Sequence, residues 1–339
     1  MRFSQWLNLI ILSVCLYVCW QIRSVLLLTL TAVVFVIVLN RAVKLIQKRV
    51  PDRRVAVLAL VVFLFLIAGT FGAIIFPSFF NQLQDLIALT PAIINQIQTW
   101  IIEFGRAVPR FSTENFQGFN AILNQLQSLN FEVLFGRFFM WFSNTLTVTL
   151  NLLLVTVVTI MMLFNPTPYR QLFIQAFPSS RRRQVDHVLD NCEDAIAGWS
   201  IGILFNMVII GLMSMIGLWI LGVPLALANG LLAGLLAFIP NLGPVASVVP
   251  PVAIALLDAP WKAAAVVALY VVIQQVESNI LTPLVMKRQV SLLPAVTLLS
   301  QVVFAVFFGF LGLLLALPLT LIIQQWLNEF WVKEYLEQH

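Results

Sequence analysis

The segment ALYVVIQQVESNILTPLVMKRQ, residues 268–289, carries one carboxylate in the middle of an otherwise apolar run. At 100° per residue, Tyr270, Gln274, Gln275, Glu277, Ser278, Asn279 and Thr282 share one broad helical arc, while Val272, Ile273, Val276, Ile280 and Leu284 fill the opposite face. A charged Glu277 at bilayer depth costs about 3 kcal/mol or more, so its tolerable states are protonation, pairing with a cation, or contact with water. Each state suits a site that couples to a proton or a sodium ion. No basic residue in the neighbouring apolar runs offers a permanent partner. Two plainer readings stay open, an interhelical hydrogen bond and a position near the membrane interface.

Other chemistry lacks its parts. The chain holds no Gly-rich phosphate loop with a Lys, no His–Glu pair at zinc spacing and no Ser–His–Asp set in a water-accessible region, so it is not expected to be an enzyme. His187 stands beside Asp186 without a cluster of other ligands and reads as a solvated side chain. Cys15, Cys19 and Cys192 form no disulfide framework and read as small apolar residues. Neither a cofactor nor a metal is expected, only a coupling ion, a proton or sodium.

The elements that must position Glu277 are membrane helices. The 339 residues are 61% hydrophobic and 10% charged, against about a quarter charged in an ordinary soluble domain. Lipid must therefore be the main solvent. The net charge of +5 does not point to nucleic acid, because the charges cluster between apolar runs, as in loops kept on the cytoplasmic side.

Residues 1–76 predict N-terminal membrane helices over about 5–22, 24–40 and 55–76, the first retained and not a cleaved signal. Arg41, Lys44, Lys48, Arg49, Arg53 and Arg54 make 41–54 the strongest orientation signal, a cytoplasmic loop. Residues 77–137 read as extracytoplasmic amphipathic helices, interrupted near Pro91, which lie on the outer surface, cover the bundle or pair with another copy in a homo-oligomer. A fourth span over 138–165 leads to a cytoplasmic basic linker helix, 166–198, which carries the triplet Arg181–Arg183. Residues 199–328 form the C-terminal membrane core and 329–339 a short polar tail.

Within that core, FIPNLGPVASVVP at 238–250 breaks an apolar run at Pro240, Asn241, Gly243 and Pro244. If the basic residues Arg181–Arg183 and Lys287–Arg288 share one side, an even number of crossings separates them, yet three apolar pieces intervene. The piece 225–257 is thus expected to enter and leave by the same face, with a kinked crossing as the alternative. The piece 292–326, with Gly309 and Gly312 in its middle, suggests a second hairpin, and both pieces begin near a proline, Pro224 and Pro294. Irregular backbone survives at membrane depth only where protein buries it or a polar cavity meets it. A cavity wall is the simplest reading, with a structural kink as the plainer one.

IPNLGP at 239–244, QQVESNILTPLVMKRQVSLLP at 274–294 and GFLGLLLALPL at 309–319 resemble the autoinducer-2 exporter family of membrane permeases, as do FPSSRRR and GWSIG before them. The likeness covers nearly the whole chain. It implies an all-α polytopic protein of about eight membrane segments, including broken or re-entrant helices, in a bacterial-type inner membrane. It also implies that Pro240, Gly243 and Pro244 form a conformational core, that Gln275, Glu277, Asn279 and Pro283 belong to a polar helix, and that Gly309, Gly312 and Pro318 form a terminal break. This chain departs from the family pattern at Asn241, where an aromatic is common, and at Glu277-Ser278-Asn279, where an acidic residue pairs with Asn. The expected function is secondary transport of a small polar solute or signalling molecule. A sodium or other cation/proton antiporter using Glu277 and a non-transporting membrane scaffold are the alternatives.

Overall fold

The computed structural model describes residues 20–70, 145–240, 242–281 and 293–331, with isolated positions near the N-terminus and between 72 and 99. Among these residues regular structure is helical throughout. In chain order the helices are α1 Arg23–Gln47, α2 Arg53–Thr70, α3 Thr145–Phe164, α4 Pro166–Gln175, α5 Arg182–Ile220, α6 Ala226–Leu236, α7 Leu242–Asp258, α8 Pro260–Val276 and α9 Pro294–Leu327. Among the described residues, five are long and apolar enough to cross a membrane when α9 is counted across its break at Gly309, or six if the bent pair α3–α4 counts as one, with the shorter apolar α6 and α7 in addition. The protein is a polytopic helical membrane protein. The expected helices of 77–137 and the first span, about 5–22, lie almost wholly outside the described residues.

The chain divides into two compact units. The first gathers residues 1–63, 149–201 and 288–339, and the second 64–148 and 202–287. α5 runs unbroken through residue 198, where the sequence suggested a junction between linker and core, and contributes to both units.

In the first unit, the basic segment does more than mark orientation. The half-buried Arg53 guanidinium donates to the Leu163 carbonyl at 2.9 Å and to Asn40 Oδ1 at 2.8 Å, while its Nε lies 3.2 Å from the Leu163 and Phe164 carbonyls. Those are the last carbonyls of α3, which have no partner within their own helix, and a cation there also meets the negative end of the helix dipole. Val36, Val43, Ala56, Val57, Leu60 and Leu163 form the apolar cluster beneath this cap. At Asn165 the chain bends by 92° into α4, whose N1 position is Pro166 and which buries no residue. Arg170 of α4 reaches Asp186 at 2.6 Å, Asp190 at 2.7 Å and Glu193 at 3.9 Å, three carboxylates spaced along one face of α5. Arg41 adds a 2.6 Å pair with Asp194. Thus 41–54, α4 and the start of α5 meet at one end of this unit.

α9 is two helices joined at Gly309, whose φ of 65° and ψ of −147° fit only glycine. A Cβ on Gly312 would fall onto the carbonyl oxygen of Phe304. In a straight helix residues eight apart stand about 12 Å from each other along the axis. The chain therefore folds back on itself at Gly309, as a hairpin and not a single long span. Trp20 lies against Phe307 and Phe308, with ring centroids 6.3 Å away in each case.

The second unit is built on α5 and α8. A Cβ on Gly217 would meet the Leu269 side chain at 2.6 Å, and one on Gly222 would lie 4.0 Å from the Lys262 ammonium, so the two helices run antiparallel. The C-terminus of α5 and the N-terminus of α8 consequently share one end. The intervening segment, α6 and α7, must leave and return to that end, as expected of a hairpin and not of a kinked crossing. α6 has 11 residues and α7 has 17, both shorter than a crossing helix.

Glycine makes the close packing of this hairpin feasible. A Cβ on Gly230 would sit 2.5 Å from Met215 Cβ, and one on Gly234 would sit 2.7 Å from the Met207 carbonyl oxygen. The pair is a small-xxx-small step that lets α6 lie backbone to backbone along α5. Asn229, buried on α6, turns its Nδ2 to the Leu225 carbonyl at 3.0 Å, holding the turn in which Leu225 adopts φ 62°. Ile210, Leu218, Ala233, Ile254, Val266, Tyr270 and Ile273 interlock the four helices.

Candidate functional site

Two irregular features interrupt this unit. The first is the turn between α6 and α7. Ala237, Phe238 and Ile239 close it with backbone bonds to Ala233, Leu235 and Leu236, and Gly243 donates to the Ile239 carbonyl at 2.9 Å. Pro240 and Pro244 flank it, and Ser247 bonds the Pro244 carbonyl at 2.9 Å. Pro244 sits in the first turn of α7, where a missing N–H costs nothing. Pro250 and Pro251 lie further inside α7 and remove two of its backbone donors. The α6 C-terminus and the α7 N-terminus both end at this turn, so it offers negative and positive partial charge together.

The second is the end of α8. From Glu277 to Leu281 the helix widens into a π-helical turn, a form frequent at functional sites and seen again here at 328–331. The polar arc splits there into two hydrogen-bonded strings. Gln274 Nε2 donates to Glu277 Oε2 at 3.2 Å and approaches Ser278 Oγ at 3.5 Å, while Asn279 donates to Gln275 Oε1 at 2.8 Å. Glu277 is half-buried, and Gln275, Ser278 and Asn279 are exposed beside Val271, Val272 and Ile280. Among the described residues no cation lies within 4 Å of the Glu277 carboxylate.

Helix contacts bring both features to a similar depth. The Tyr270 hydroxyl lies beside that of Ser214. Glu277, seven residues further along α8, is level with α5 residues about seven before Ser214, that is with Met207 and Asn206. Met207 is the residue against which Gly234 of α6 packs. The 237–240 stretch follows three to six residues on, within about 5–9 Å. That level is roughly 20 Å along α5 from Ile220.

Of the residues singled out in the sequence, Pro240, Gly243, Pro244, Gln274, Gln275, Glu277, Ser278 and Asn279 belong to this unit. Asn241, Thr282 and Pro283 lie outside the described residues. Gly309 and Gly312 form the hairpin of α9 in the first unit. Sequence reasoning passed over Asn206 and Ser214, isolated polar residues in an apolar span, and over the π-helical turn. It also passed over Gln301 of α9, 1% exposed. A scan for single polar residues within spans would have found the first two.

The chain matches the AI-2E family transporter pattern over residues 9–331. It belongs to the AI-2E transporter family. YueF of Bacillus subtilis (strain 168) is 25% identical over 306 residues, covering 87% of this chain and 81% of YueF. YhhT of Escherichia coli (strain K12) is 27% identical over 315 residues, covering 88% of this chain and 83% of its own. Both of those names assign transport provisionally. The AI-2 transport protein TqsA of the same strain is 37% identical over 118 residues, 34% of each chain. This AI-2E family chain is thus an integral membrane protein of a transporter family.

Proposed function

We propose that this AI-2E family member is a secondary transporter of a small polar solute, with its path along the α6–α7 turn and the polar face of α8. Glu277 is the coupling carboxylate, exchanging a proton or sodium. The observation that carries the reading is a carboxylate on a π-helical turn, level with a broken hairpin and bonded only to the neutral Gln274 among the described residues. Such a group needs a proton, a cation or water to be tolerated in hydrocarbon. The name of TqsA makes autoinducer-2 a first solute to test. The basic segments 41–54 and 181–183 face the cytoplasm of a bacterial-type cell, so the shared end of α5 and α8 faces outward across the inner membrane.

The test is flux in proteoliposomes with a pH or sodium gradient imposed. Solute movement driven by either gradient, lost in Glu277→Gln, supports the proposal. Cation–proton exchange without any solute would favour the antiporter reading. No flux under either gradient would favour a scaffold.

A further inference from the structure

Polar side chains inside spans ordinarily bond back to their own helix, because lipid offers no other partner. Thr29, Thr31, Ser247 and Thr320 do so here, at 2.6–2.9 Å from carbonyls three or four residues earlier. Asn206 Oδ1, Ser214 Oγ and Tyr270 Oη, all in the second unit, do not. Each is shielded from the surface; the Ser214 and Tyr270 hydroxyls lie beside each other without good hydrogen-bond geometry, and among the described residues none of the three has another partner. Ser214 is 0% exposed and Tyr270 7%. A buried polar group left without a partner costs about 1–3 kcal/mol, so three in one helix pair ask for an occupant.

Their positions are ordered. Tyr270, Gln274 and Glu277 follow at i, i+4 and i+7 on one face of α8, the face that meets Ser214 of α5. Asn206 is level with the π-helical turn at the other end of this row. Beyond Ser214 and Tyr270, towards the shared end of the two helices, Leu218 and Val266 are both 0% exposed and close the seam with apolar carbon. Past them lies the Asp258–Lys262 ion pair.

We infer that the α5–α8 seam is a water-holding lane, in which water bridges Ser214 and Tyr270 and continues by Gln274 to Asn206 and Glu277, with Leu218 and Val266 as its apolar stopper. The lane deepens the transport reading by naming the side from which Glu277 meets water. Two hydroxyls, each a donor and an acceptor, and two amides give bridging waters the two to four partners they need.

The test uses the full chain in proteoliposomes, with Cys15, Cys19 and Cys192 replaced and single cysteines placed at Ser214 or at the lipid-exposed Val208 of the same helix. A charged methanethiosulfonate reagent attacks the thiolate, which forms in water. Labelling of Ser214→Cys at least tenfold faster than Val208→Cys, faster again with Leu218→Ala, is the expected result. Equal, slow labelling at both positions, even with the stopper trimmed, overturns the lane. Melting temperature gives a second reading. Ser214→Ala and Tyr270→Phe leave it unchanged or lower it if water satisfies the hydroxyls, whereas a rise would mean dry, orphaned groups and would also overturn the lane. Neither readout depends on flux, so loss of the Glu277 role and loss of the lane are separate outcomes.

Discussion

Gly243 passes so close to the carbonyl oxygen of Leu236 that a side chain at 243 would fall onto that oxygen. The contact is backbone against backbone, so no rotamer change relieves it. Gly243→Ala should destabilise the hairpin by about 1–3 kcal/mol, as overpacking does elsewhere. Thermal unfolding in detergent should register it, with Val245→Ala, at an exposed position of α7, as the neutral comparison. An unshifted melting temperature in Gly243→Ala would mean that the turn is looser than described.

Gly234 tests the same hairpin from its other side. Gly234→Leu must push α6 away from the Met207 carbonyl, whereas Gly69→Leu, where an added Cβ meets nothing within 4 Å, should be tolerated. The expected outcome is loss of monodisperse protein for the first variant only, read by size-exclusion chromatography.

Arg53→Ala leaves the Leu163 and Phe164 carbonyls uncapped and should cost about 1–3 kcal/mol, more than losing an exposed ion pair does. Arg53→Lys should recover only part, because an ammonium cannot reproduce the guanidinium fork. By contrast Arg41→Ala, which loses a pair exposed on both sides, should shift stability by less than about 1 kcal/mol and by less still in high salt. Chemical or thermal denaturation of the three variants side by side checks the order.

Glu277→Gln keeps the shape of the side chain and its contact with Gln274, so folding should survive while coupled flux falls by tenfold or more. Gln274→Leu should impair flux less, since it removes a hydrogen bond and not the charge. Full flux with intact ion dependence in Glu277→Gln would remove the carboxylate from the mechanism.

The antiparallel pairing of α5 and α8 fixes sidedness. Cysteines at Trp219 and Asp258 should be labelled from the same side of the membrane, and one at Lys48 from the opposite side. A membrane-impermeant maleimide, applied to intact cells and then to inverted vesicles, separates the outcomes. Labelling of 219 and 258 from opposite sides would restore the kinked crossing.

The sequence by itself determined the solvent, the helices and the places where they break. Those properties follow from composition and from backbone rules that hold whatever a helix packs against: too few charges to cover a globule, proline without a donor, glycine free to turn. The parity of basic loops led to the expectation that 225–257 returns to its starting face, with a kinked crossing as the alternative, and the glycine-rich centre of 292–326 suggested the fold-back at Gly309. Only the tertiary structure decided what depends on which helices meet. Arg53 read as one more positive charge until α3 ended against it, and Asn165 gave no sign of a 92° bend. Ser214 and Asn206 were single polar letters among apolar ones, and became a row with Tyr270, Gln274 and Glu277 only once α5 lay antiparallel to α8. A polar group's meaning inside a membrane is set by its partner, and partners far apart in the chain are chosen by packing.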